Sequence, residues 1–450
     1  MKIKSICCIG AGYVGGPTMS VIALKCPNIK VIVVDENENK IDHWNSEDLS
    51  KLPVFEPGLD EIIKKTRNRN LFFSKKIDEA IINSDMIFVA VNTPTQTSGE
   101  GAGMASDLKY VENAARRISE VSISDKIVVE KSTLPVRTAE KIKEILSKNK
   151  KISFEVLSNP EFLAEGTAIQ DLFKSDRVLI GGDNTKSGKE AIESLKEIYL
   201  EWISPEKILT LNVWSSELSK LASNAFLAQR ISSINSLSAL CEKTGADIDE
   251  VSMAVGMDHR IGSNFLKVSP GFGGSCFQKD ILNLVYICRH YNLDEVANFW
   301  EQVIKINDFQ RERIVNKIED YINLNSLKKE VSILGWAFKK NTNDSRESSS
   351  IYVTLKLLEK KYFVRVYDPM VNSEKIKKDL VEYSEDKDSI STLFNQRVKV
   401  YSKFEEIIRH QTPIVILTEW DEFLQLNNYS DRIIFDFRNI INKDITTYRL

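Results

Sequence analysis

The 450-residue sequence lacks the features that mark several large classes of protein. It has no excess of charge of one sign, because 61 Lys and Arg residues face 64 Asp and Glu residues and leave a net charge of −3. Proteins that bind nucleic acid or anionic membranes usually carry a basic surplus. No apolar run reaches the length of a membrane span, and the N-terminus shows no apolar targeting segment. We therefore expect a cytoplasmic protein that binds neither nucleic acid nor membrane.

Cysteine and histidine are scarce and scattered. The six cysteines include no CxxC pair, and the four histidines are far apart in the sequence. Structural zinc sites and disulfide frameworks need closely spaced ligands or regular cysteine patterns. The sequence therefore predicts neither a metal site nor a disulfide framework.

Length and composition favour a multidomain soluble enzyme. A single core stops growing at about 250 to 300 residues, so a chain of this length should contain more than one domain. The sequence is 42% apolar and 28% charged, which is ordinary for globular proteins.

The first 35 residues carry a dinucleotide-binding pattern. An apolar strand over residues 3–9 leads into a glycine-rich turn, and a second strand over 31–34 ends at Asp35. Asp35 follows the turn at the usual spacing of about 20 residues, where a carboxylate accepts the adenine ribose hydroxyls. Because this carboxylate would repel a 2′-phosphate, NAD is favoured over NADP. The turn consists of Gly10, Ala11, Gly12, Tyr13, Val14 and Gly15.

Polar loops follow two later strands, predicted over residues 86–91 and 127–129. In a doubly wound sheet, ligands bind beyond the carboxyl ends of the strands. The hydroxyls of Thr93, Ser132 and Thr133 would then point toward the cofactor or the reacting carbon, although each could equally serve a turn or helix cap.

Two carboxylates, Glu161 and Glu165, lie four residues apart in the loop after a strand at 156–157. They could form a solvated face or an acid/base pair near the active site. A last strand of this part is predicted over residues 178–180.

A long helical pattern begins at residue 215, and shorter helices are expected to continue to about residue 321. Lys220 and Asn224 lie four residues apart on one face of the long helix, among apolar neighbours. Such a lysine usually extends its amine to solvent. The functional alternative is a fixed positive charge in a closed site.

The stretch from Gly271 to Asp280 can present a reactive thiol. Three glycines in four positions precede Cys276 and allow a tight turn and close approach to the main chain. Asp280 would share one side of the first turn of the following helix with the cysteine, and a helix N-terminus lowers a thiol pKa. Alternatively, Cys276 is a small buried apolar residue.

The last segment, from residue 328, repeats the α/β pattern without the three-glycine fingerprint. Strands are predicted at 331–334, 364–367, 414–417 and 433–435, with a helix at 352–358. A second sheet of this kind should bind something other than a dinucleotide. The basic residues near its strand ends suit an anionic nucleotide or form a solvated basic rim; they are Lys339, Lys340, Arg346 and Arg438.

These patterns together resemble the UDP-glucose/GDP-mannose dehydrogenase family over essentially the whole chain, and its eukaryotic UDP-glucose-specific members most. The resemblance implies an α/β fold with two Rossmann-like doubly wound sheets joined by a long central helix. It implies an NAD-binding domain over 1–212, a central helical domain over 213–327 and a UDP-sugar-binding domain over 328–450. The runs that carry it are residues 10–15, 92–95, 131–136, 159–166, 214–235, 257–260, 271–280 and 338–352.

The resemblance also implies a chemistry: two NAD molecules in turn oxidise the primary alcohol of a nucleotide-linked glucose to the acid, without release of the aldehyde. Cys276 would be the nucleophile, and Lys220 and Asn224 would stabilise the oxyanion. Asp280 with Thr133 would orient water and move protons, while Glu161 would act as general acid/base.

Further residues are implied to bind ligands, and the partners implied are UDP-glucose and further copies of the chain. Arg260 would reach the site of a neighbouring subunit, so at least a dimer, up to a hexamer, is expected. The residues implied at the NAD site are Gly10, Gly12, Tyr13, Val14, Gly15, Asp35, Lys40, Val91, Asn92, Thr93, Ser132, Thr133, Glu165 and Arg346. Those implied at the UDP-sugar site are Glu161, Leu163, Glu165, Lys220, Asn224, Arg260, Phe265, Lys267, Phe272, Gly273, Phe277, Phe338, Lys339 and Arg438.

Three alternatives remain open at this stage: a dehydrogenase of GDP-mannose or UDP-N-acetylmannosamine, a two-electron dehydrogenase that needs no thiol, and a non-catalytic protein that binds NAD or a nucleotide sugar. The sequence also departs from the family pattern. Phe437 replaces a glycine of the animal members, which bears on the placement of Arg438, and Ala102 and Met104 stand where those members carry basic residues.

Overall fold

The computed structural model describes residues 2–450, which form two compact units, Met1–Ser223 and Asn224–Leu450. Each unit contains one sheet of parallel character flanked by helices. No helix among the described residues is long and apolar enough to cross a lipid bilayer.

The first unit contains an eight-stranded sheet in the order β3-β2-β1-β4-β5-β6-β7-β8. All neighbouring strands are parallel except β6 and β7. The strands are β1 (Ser5–Ile9), β2 (Lys30–Val34), β3 (Leu71–Ser74), β4 (Met86–Val89), β5 (Lys126–Glu130), β6 (Phe154–Ser158), β7 (Val178–Gly182) and β8 (Ile208–Asn212).

The helices of this unit cover both faces of the sheet, where two apolar clusters lie. Because parallel strands are buried on both faces, they appear in the sequence as continuous apolar runs; β4, for example, is buried at every position. The helices are α1 (Gly15–Lys25), α2 (Glu38–Asn45), α3 (Leu59–Thr66), α4 (Ile77–Ile82), α5 (Lys109–Val121), α6 (Thr138–Leu146), α7 (Ala168–Phe173) and α8 (Lys186–Leu200).

A single helix of 32 residues, α9 (Val213–Thr244), leads from the first unit into the second. The second unit continues with α10 (Ile248–Gly256), α11 (Phe277–His290) and α12 (Asp294–Leu324). Shorter helices were predicted up to about residue 321; the last of them, α12, is nearly as long as α9, with 31 residues. An apolar stripe that includes Val303, Ile314 and Ile318 is buried along it and stabilises its length through packing.

The second sheet has six parallel strands in the order β11-β10-β9-β12-β13-β14. Its strands are β9 (Glu330–Leu334), β10 (Phe363–Tyr367), β11 (Val398–Val400), β12 (Ile414–Ile416), β13 (Ile434–Asp436) and β14 (Tyr448–Arg449), and its helices are α13 (Ser349–Glu359), α14 (Ser373–Tyr383), α15 (Lys387–Arg397) and α16 (Phe404–Ile408).

The predicted fold class is confirmed. The order of the strands reverses between β1 and β4 in the first sheet and between β9 and β12 in the second, and such a switch point is where an open α/β sheet binds its ligand. Four strands were not predicted, namely β3, β8, β11 and β14. The strand at 178–180 is therefore not the last of its sheet, since β8 pairs with it.

Candidate active site

The turn between β1 and α1 has the shape that a dinucleotide requires. Gly10 has a φ of +112° and its missing Cβ would lie 2.2 Å from the Ala90 carbonyl oxygen, whereas a Cβ on Gly15 would lie 2.0 Å from the Gly10 carbonyl oxygen. A Cβ on Gly12, in contrast, would meet nothing within 4 Å. The first and third glycines therefore permit the turn and its packing, and the second leaves the backbone open to a pyrophosphate.

Asp35 lies directly after β2, as predicted. Its carboxylate accepts hydrogen bonds from the Ala11 amide at 2.8 Å, the Asn37 amide at 2.9 Å and the Lys40 amine at 2.8 Å. Burial opposes the charge, but these donors outweigh it and lower the pKa of Asp35 below its ordinary value. The group is thus a fixed carboxylate beside the glycine turn, as the ribose hydroxyls of NAD require.

The hydroxyls after β4 and β5 bond to the backbone. Thr93 Oγ1 donates to the Thr133 carbonyl at 3.1 Å, and Ser132 Oγ donates to the Val91 carbonyl at 2.6 Å. These bonds join the two loops at the carboxyl edge of the sheet. In the structure the two hydroxyls therefore position the loops. This is the role in a turn that the sequence analysis gave as the alternative to contact with the cofactor.

A buried ion pair lies beyond β5 and β6 in the first unit. Lys220 Nζ is 3.3 Å from Glu161 Oε1, and the two side chains are 5% and 8% exposed. Thr133 Oγ1 lies 3.5 Å from the same Glu161 oxygen, and the Leu163 amide donates to the other oxygen at 2.7 Å. Lys220 is thus held inside, and the alternative of an amine extended to solvent is wrong.

Glu161 is ionised in this environment. Burial favours its neutral form, but Lys220, the Leu163 amide and Lys131 together lower its pKa. A carboxylate that stays charged while buried can accept a proton from water, whereas it cannot donate one at neutral pH. The geometry therefore favours Glu161 as a base.

Lys131 was not predicted as a site residue, although it directly precedes the predicted hydroxyl residues. Its Nζ donates to Asn159 Oδ1 at 3.0 Å and to the Tyr199 hydroxyl at 3.2 Å. Burial lowers the pKa of Lys131 to about 8, although the charge of Glu161 opposes that shift. The sequence did offer one signal for Lys131, which is that a lysine directly follows the apolar strand β5, and this strand is fully buried.

The thiol loop lies in the second unit. Cys276 is half-buried and occupies the residue before α11, and the Asp280 amide donates to its carbonyl at 2.8 Å. The thiol is therefore placed at a helix N-terminus, as predicted. Asp280 is 1% exposed and accepts a hydrogen bond from Asn224 Nδ2 at 2.6 Å, so two predicted catalytic residues are in direct contact.

The glycines before Cys276 are approached by the protein's own groups. A Cβ on Gly271, where φ is +124°, would lie 2.6 Å from Asn307 Oδ1, and one on Gly273 would lie 2.6 Å from the Glu347 carbonyl oxygen. Asn307 also accepts from the Phe272 amide at 2.8 Å, and Arg311 donates to the Phe272 carbonyl at 2.9 Å. Residues of α12, which the sequence did not single out, thus hold this loop.

The aromatic residues predicted at the sugar site differ in exposure. Phe272 is buried and packs edge-on against Phe277 at a centroid distance of 5.9 Å. Phe265 is 44% exposed and has a positive φ of +61°, an unusual backbone conformation for a large side chain. Lys267 and Arg260 are exposed as well, and Arg260 pairs with Asp258 at 2.6 Å.

The basic residues of the second sheet have partners within the protein. Arg438 donates to the Leu417 carbonyl at 2.7 Å and pairs with Glu419 at 3.2 Å, Arg346 pairs with Asp344 at 2.6 Å, and Lys339 Nζ lies 5.6 Å from the Phe338 ring centroid. Phe437 is buried and stacks with Phe435. The phenylalanine that stands in place of the glycine of the animal members thus fills space in the core. Arg438, the next residue, is held by its own bonds.

The carboxylate at the switch point of the second sheet has donors from the protein itself. Asp368, which follows β10 as Asp35 follows β2, accepts from the Trp336 amide at 2.6 Å, the Ala337 amide at 3.0 Å and the Trp420 indole at 3.0 Å. A Cβ on Gly335 would lie 2.3 Å from Thr418. The carboxylate that would face a ribose is therefore enclosed by protein.

Three family models match nearly the whole chain. Residues 4–203 match the NAD binding domain of the UDP-glucose/GDP-mannose dehydrogenase family, residues 214–309 match its central domain, and residues 332–443 match its UDP binding domain. The last match agrees with the prediction that the second sheet binds a nucleotide rather than a dinucleotide.

Curated relatives from plants and an insect are similar over nearly their full length. The chain is 54% identical to UDP-glucose 6-dehydrogenase 5 of Oryza sativa subsp. japonica, over 98% of this chain and 94% of the relative. It is 55% identical to UDP-glucose 6-dehydrogenase 4 of Arabidopsis thaliana, with 97% and 93% covered, and 54% identical to UDP-glucose 6-dehydrogenase of Drosophila melanogaster, with 98% and 93% covered.

Solved structures agree with the fold. A UDP-glucose dehydrogenase from the archaeon Pyrobaculum islandicum has a TM-score of 0.85 and 30% identity, and 99% of this chain and 97% of that chain are covered. UDP-D-ManNAc dehydrogenase from Pyrococcus horikoshii, at 23% identity and a TM-score of 0.78 with 98% and 96% covered, shares the fold. From the three domain matches and the identity to these relatives, we conclude that the chain belongs to the UDP-glucose/GDP-mannose dehydrogenase family.

Proposed function

We propose that this protein oxidises UDP-glucose to UDP-glucuronate, with NAD as the acceptor of two hydrides. The observation that carries the proposal is the half-buried thiol of Cys276 at the N-terminus of α11, in a chain that is 54% identical to UDP-glucose 6-dehydrogenases. A four-electron oxidation without release of the aldehyde needs a nucleophile that holds the intermediate, and a thiol suits this role.

The proposed reaction has three stages. The C6 alcohol loses a hydride and a proton and becomes an aldehyde. The Cys276 sulfur then adds to the aldehyde carbon and gives a thiohemiacetal, which loses a second hydride and a proton to become a thioester. Water cleaves the C–S bond, so that the acid is released and the thiol is restored. NAD, when bound, supplies the hydride acceptor for each oxidation.

Lys220 and Asn224 are proposed to stabilise negative charge on the substrate oxygen. They lie four residues apart on α9, and both are buried, at 4% and 6% exposure. Charged and polar donors stabilise a developing oxyanion best where water is excluded. The contact between Lys220 and Glu161 holds the lysine in place before substrate binds.

Asp280 and Glu161 are proposed to handle protons and water. Asp280 is fixed by Asn224 and lies one helical turn from Cys276, which suits it to move the protons of the substrate and thiol, with Thr133 as a further hydroxyl. Lys220, the Leu163 amide and Lys131 lower the pKa of Glu161 against the effect of burial, so Glu161 is in the deprotonated form that can accept a proton from the water that cleaves the thioester.

The binding residues predicted from the resemblance complete the proposal. The glycine turn and Asp35 would hold NAD, assisted by Lys40, Glu165, Arg346 and the loop residues 91–93 and 132–133. The UDP-sugar would lie against Leu163, Phe265, Lys267, Phe272, Gly273, Phe277, Phe338, Lys339 and Arg438.

We also propose a homo-oligomer in which Arg260 reaches the site of a neighbouring subunit. Its side chain is 78% exposed, and Met257 and Ile261 beside it are 80% and 44% exposed. Arginine and methionine are enriched at protein interfaces, so this loop has the character of a subunit contact.

A cytosolic location is proposed as well. No disulfide joins any of the six cysteines within residues 2–450, as expected in a reducing compartment. Fractionation of the source cells, with detection of the protein in cytosolic and membrane-enclosed fractions, tests this location.

A substrate panel tests the proposed activity. UDP-glucose, GDP-mannose and UDP-N-acetylmannosamine are each incubated with NAD, and NADH formation and the acid product are measured. We expect turnover of UDP-glucose with kcat/KM at least tenfold above the others. A preference for another nucleotide sugar would overturn the substrate assignment, and binding of UDP-glucose without turnover would indicate a non-catalytic binding protein.

A further inference from the structure

We propose that Glu56, which has no role in the chemistry above, couples the NAD-binding turn to the sugar-binding loop and so makes the two ligands bind cooperatively. This inference rests on the proposed function, because it takes the loop around Glu161 to Glu165 as part of the substrate site.

Glu56 is a buried carboxylate in the loop before α3. Its side chain is 4% exposed, and its two oxygens accept from the Gly166 amide at 2.6 Å and the Ala168 amide at 2.9 Å. The phenol of Tyr13 donates to the Glu56 oxygen that also binds Gly166. One carboxylate therefore joins the glycine turn to the loop after β6.

The hydrogen-bond donors to Glu56 are neutral groups. No Lys or Arg forms an ion pair with it in the described part of the chain, residues 2–450. A buried carboxylate is costly unless its hydrogen bonds are complete. Glu56 has two amides and one phenol as donors. The loss or displacement of one donor therefore changes the strength of the hydrogen bonds that the other two make with the carboxylate.

The donors come from the segments that would touch the two ligands. Tyr13 lies between Gly12 and Gly15, whose backbone would contact the NAD pyrophosphate, and Gly166 directly follows Glu165. Burial, the bond to Glu56 and the nearby charge of Glu165 raise the pKa of Tyr13, so the phenol keeps its proton and remains a donor. NAD that orders the turn would therefore also order the amide beside Glu165.

Cooperative binding follows from this connection. We expect bound NAD to order the glycine turn, and through Glu56 also residues 163–168. The sugar nucleotide then meets a loop that is already ordered and binds more tightly. By linkage, the sugar nucleotide tightens the binding of the dinucleotide by the same factor. We expect a factor of about fivefold or more, within the usual range for coupled sites.

Calorimetry on the full-length protein tests this coupling. The Kd of UDP-glucose is measured with and without saturating NADH, which occupies the dinucleotide site without allowing turnover. Tyr13→Phe removes only the hydroxyl group that joins the turn to Glu56 and leaves the bonds of Glu56 to Gly166 and Ala168. Glu56→Gln keeps the shape of the side chain but replaces an acceptor by a donor. The matched controls are Glu61→Gln on the exposed side of α3 and Tyr110→Phe, since Tyr110 is 48% exposed.

We expect the ratio of the two Kd values to be about five or more in the wild type and both controls, and to fall to near one in Tyr13→Phe and Glu56→Gln. A ratio near one in the wild type, or an unchanged ratio in Tyr13→Phe, would overturn the inference. If Glu56→Gln fails to fold, as judged by circular dichroism, Tyr13→Phe decides alone. A wild type that turns over UDP-glucose without coupling refutes only this inference, whereas a wild type without turnover refutes the proposed function.

Discussion

At the scale of single residues, the ion pair between Lys220 and Glu161 bears on both the stability of the fold and the proposed chemistry. The two charges are almost completely buried, with 3.3 Å between Nζ and Oε1. Removing one partner of a buried pair leaves an uncompensated charge and usually costs about 3–5 kcal/mol. In Lys220→Ala this cost falls on Glu161, whose pKa should rise because the charge that lowers it most is gone.

The first prediction concerns that variant. Lys220→Ala should lower the free energy of unfolding by about 3 kcal/mol and kcat by roughly 100-fold or more, since an oxyanion donor is lost. Urea denaturation and NADH formation measure the two effects. Lys189→Ala, a change at an exposed lysine of α8, should leave both unchanged. Wild-type kcat in Lys220→Ala would contradict the proposed role.

The second prediction concerns Lys131. Its pKa in the folded protein is about 8, below the value of about 10.4 in an unfolded chain. Between these values the unfolded state binds more protons, so the lysine's contribution to stability increases as the pH rises through this window. Relative to Lys131→Met, the wild type should gain stability between pH 8 and 10, as measured by urea denaturation.

The activity of Lys131→Met adds an independent measurement. Because Lys131 helps to lower the pKa of Glu161, the acidic limb of the kcat profile should move to higher pH in the variant. Stability curves that run parallel from pH 8 to 10 would show that the pKa of Lys131 is not lowered in the folded protein. An unshifted acidic limb would show that its charge does not act on Glu161.

Sequence reasoning found residues that follow a strand end or a glycine turn, because those positions have a known geometry. It identified Glu161, Lys220, Asn224 and Asp280 as candidates. It did not find Lys131, Glu56 or Asn307, because their partners are distant in sequence: Glu56 and Gly166, for example, are 110 residues apart. A buried contact of this kind depends on the packing of loops, which local patterns do not encode.

At the scale of elements, a pair of carboxyl groups connects β5, α6 and α9. Glu217 on α9 accepts from the Arg137 amide at 2.7 Å and the Ala139 amide at 2.8 Å at the start of α6. Glu130 at the end of β5 is fully buried, and burial together with Glu217 raises its pKa well above the ordinary value. Burial raises the pKa of Glu217 as well, but the two amides oppose that shift, so of the two carboxyl groups Glu130 is the one that retains a proton.

The third prediction follows from this protonation. A group with a raised folded pKa stabilises the protein below its unfolded pKa of about 4.3, and this contribution is lost as the pH rises toward the folded pKa. Glu130→Gln cannot ionise, so its stability should fall less than that of the wild type as the pH rises from 5 to 8. The difference in slope should be at most about 1.4 kcal/mol per pH unit.

Urea midpoints at pH 5, 6.5 and 8 measure this slope. The change Glu190→Gln, at an exposed residue of α8, serves as the control and should follow the wild type. A wild type and Glu130→Gln with equal slopes would mean that Glu130 is already ionised in the folded protein.

Element prediction succeeded where burial is continuous. The strands β1, β4, β5 and β9 are almost entirely buried, so their apolar runs stand out. The missed strands are short or partly exposed: β14 has two residues and β8 is exposed at three of its five positions. The length of α12 was also missed, because its polar surface positions hide the apolar stripe that continues to Ile322.

At the scale of the whole molecule, the two sheets share a plan but differ in the groups around the carboxylate at the switch point. Asp35 is reached by two amides and a lysine beside an open glycine turn, whereas Asp368 is enclosed by Trp336, Ala337 and Trp420. The sequence alone predicted a difference, because the turn after β9 lacks the three glycines that a dinucleotide-binding turn requires. It could not identify the groups that bond to Asp368.

The fourth prediction concerns assembly. If Arg260 serves the site of a neighbouring subunit, Arg260→Ala and Cys276→Ala should each be inactive alone but complement each other in mixed oligomers. In a mixed dimer, one of the two sites would then be complete, because a closed oligomer repeats one interface. Co-expression with two affinity tags isolates the mixed species.

The activity per site of the mixed oligomers is compared with the sum of the two pure variants. Recovery above that sum supports a shared site. Mixed oligomers without recovered activity, with assembly verified by sedimentation, would place Arg260 at its own subunit's site or outside the site.

The four-electron mechanism is tested most directly by the number of NADH molecules formed for each UDP-glucose consumed. We expect two, because the thiol of Cys276 holds the sugar between the two oxidations until water releases the acid. The measurement follows NADH absorbance to completion with limiting UDP-glucose and excess NAD, and identifies the product by mass. One NADH per sugar, with the aldehyde as product, or no NADH at all would contradict the four-electron mechanism.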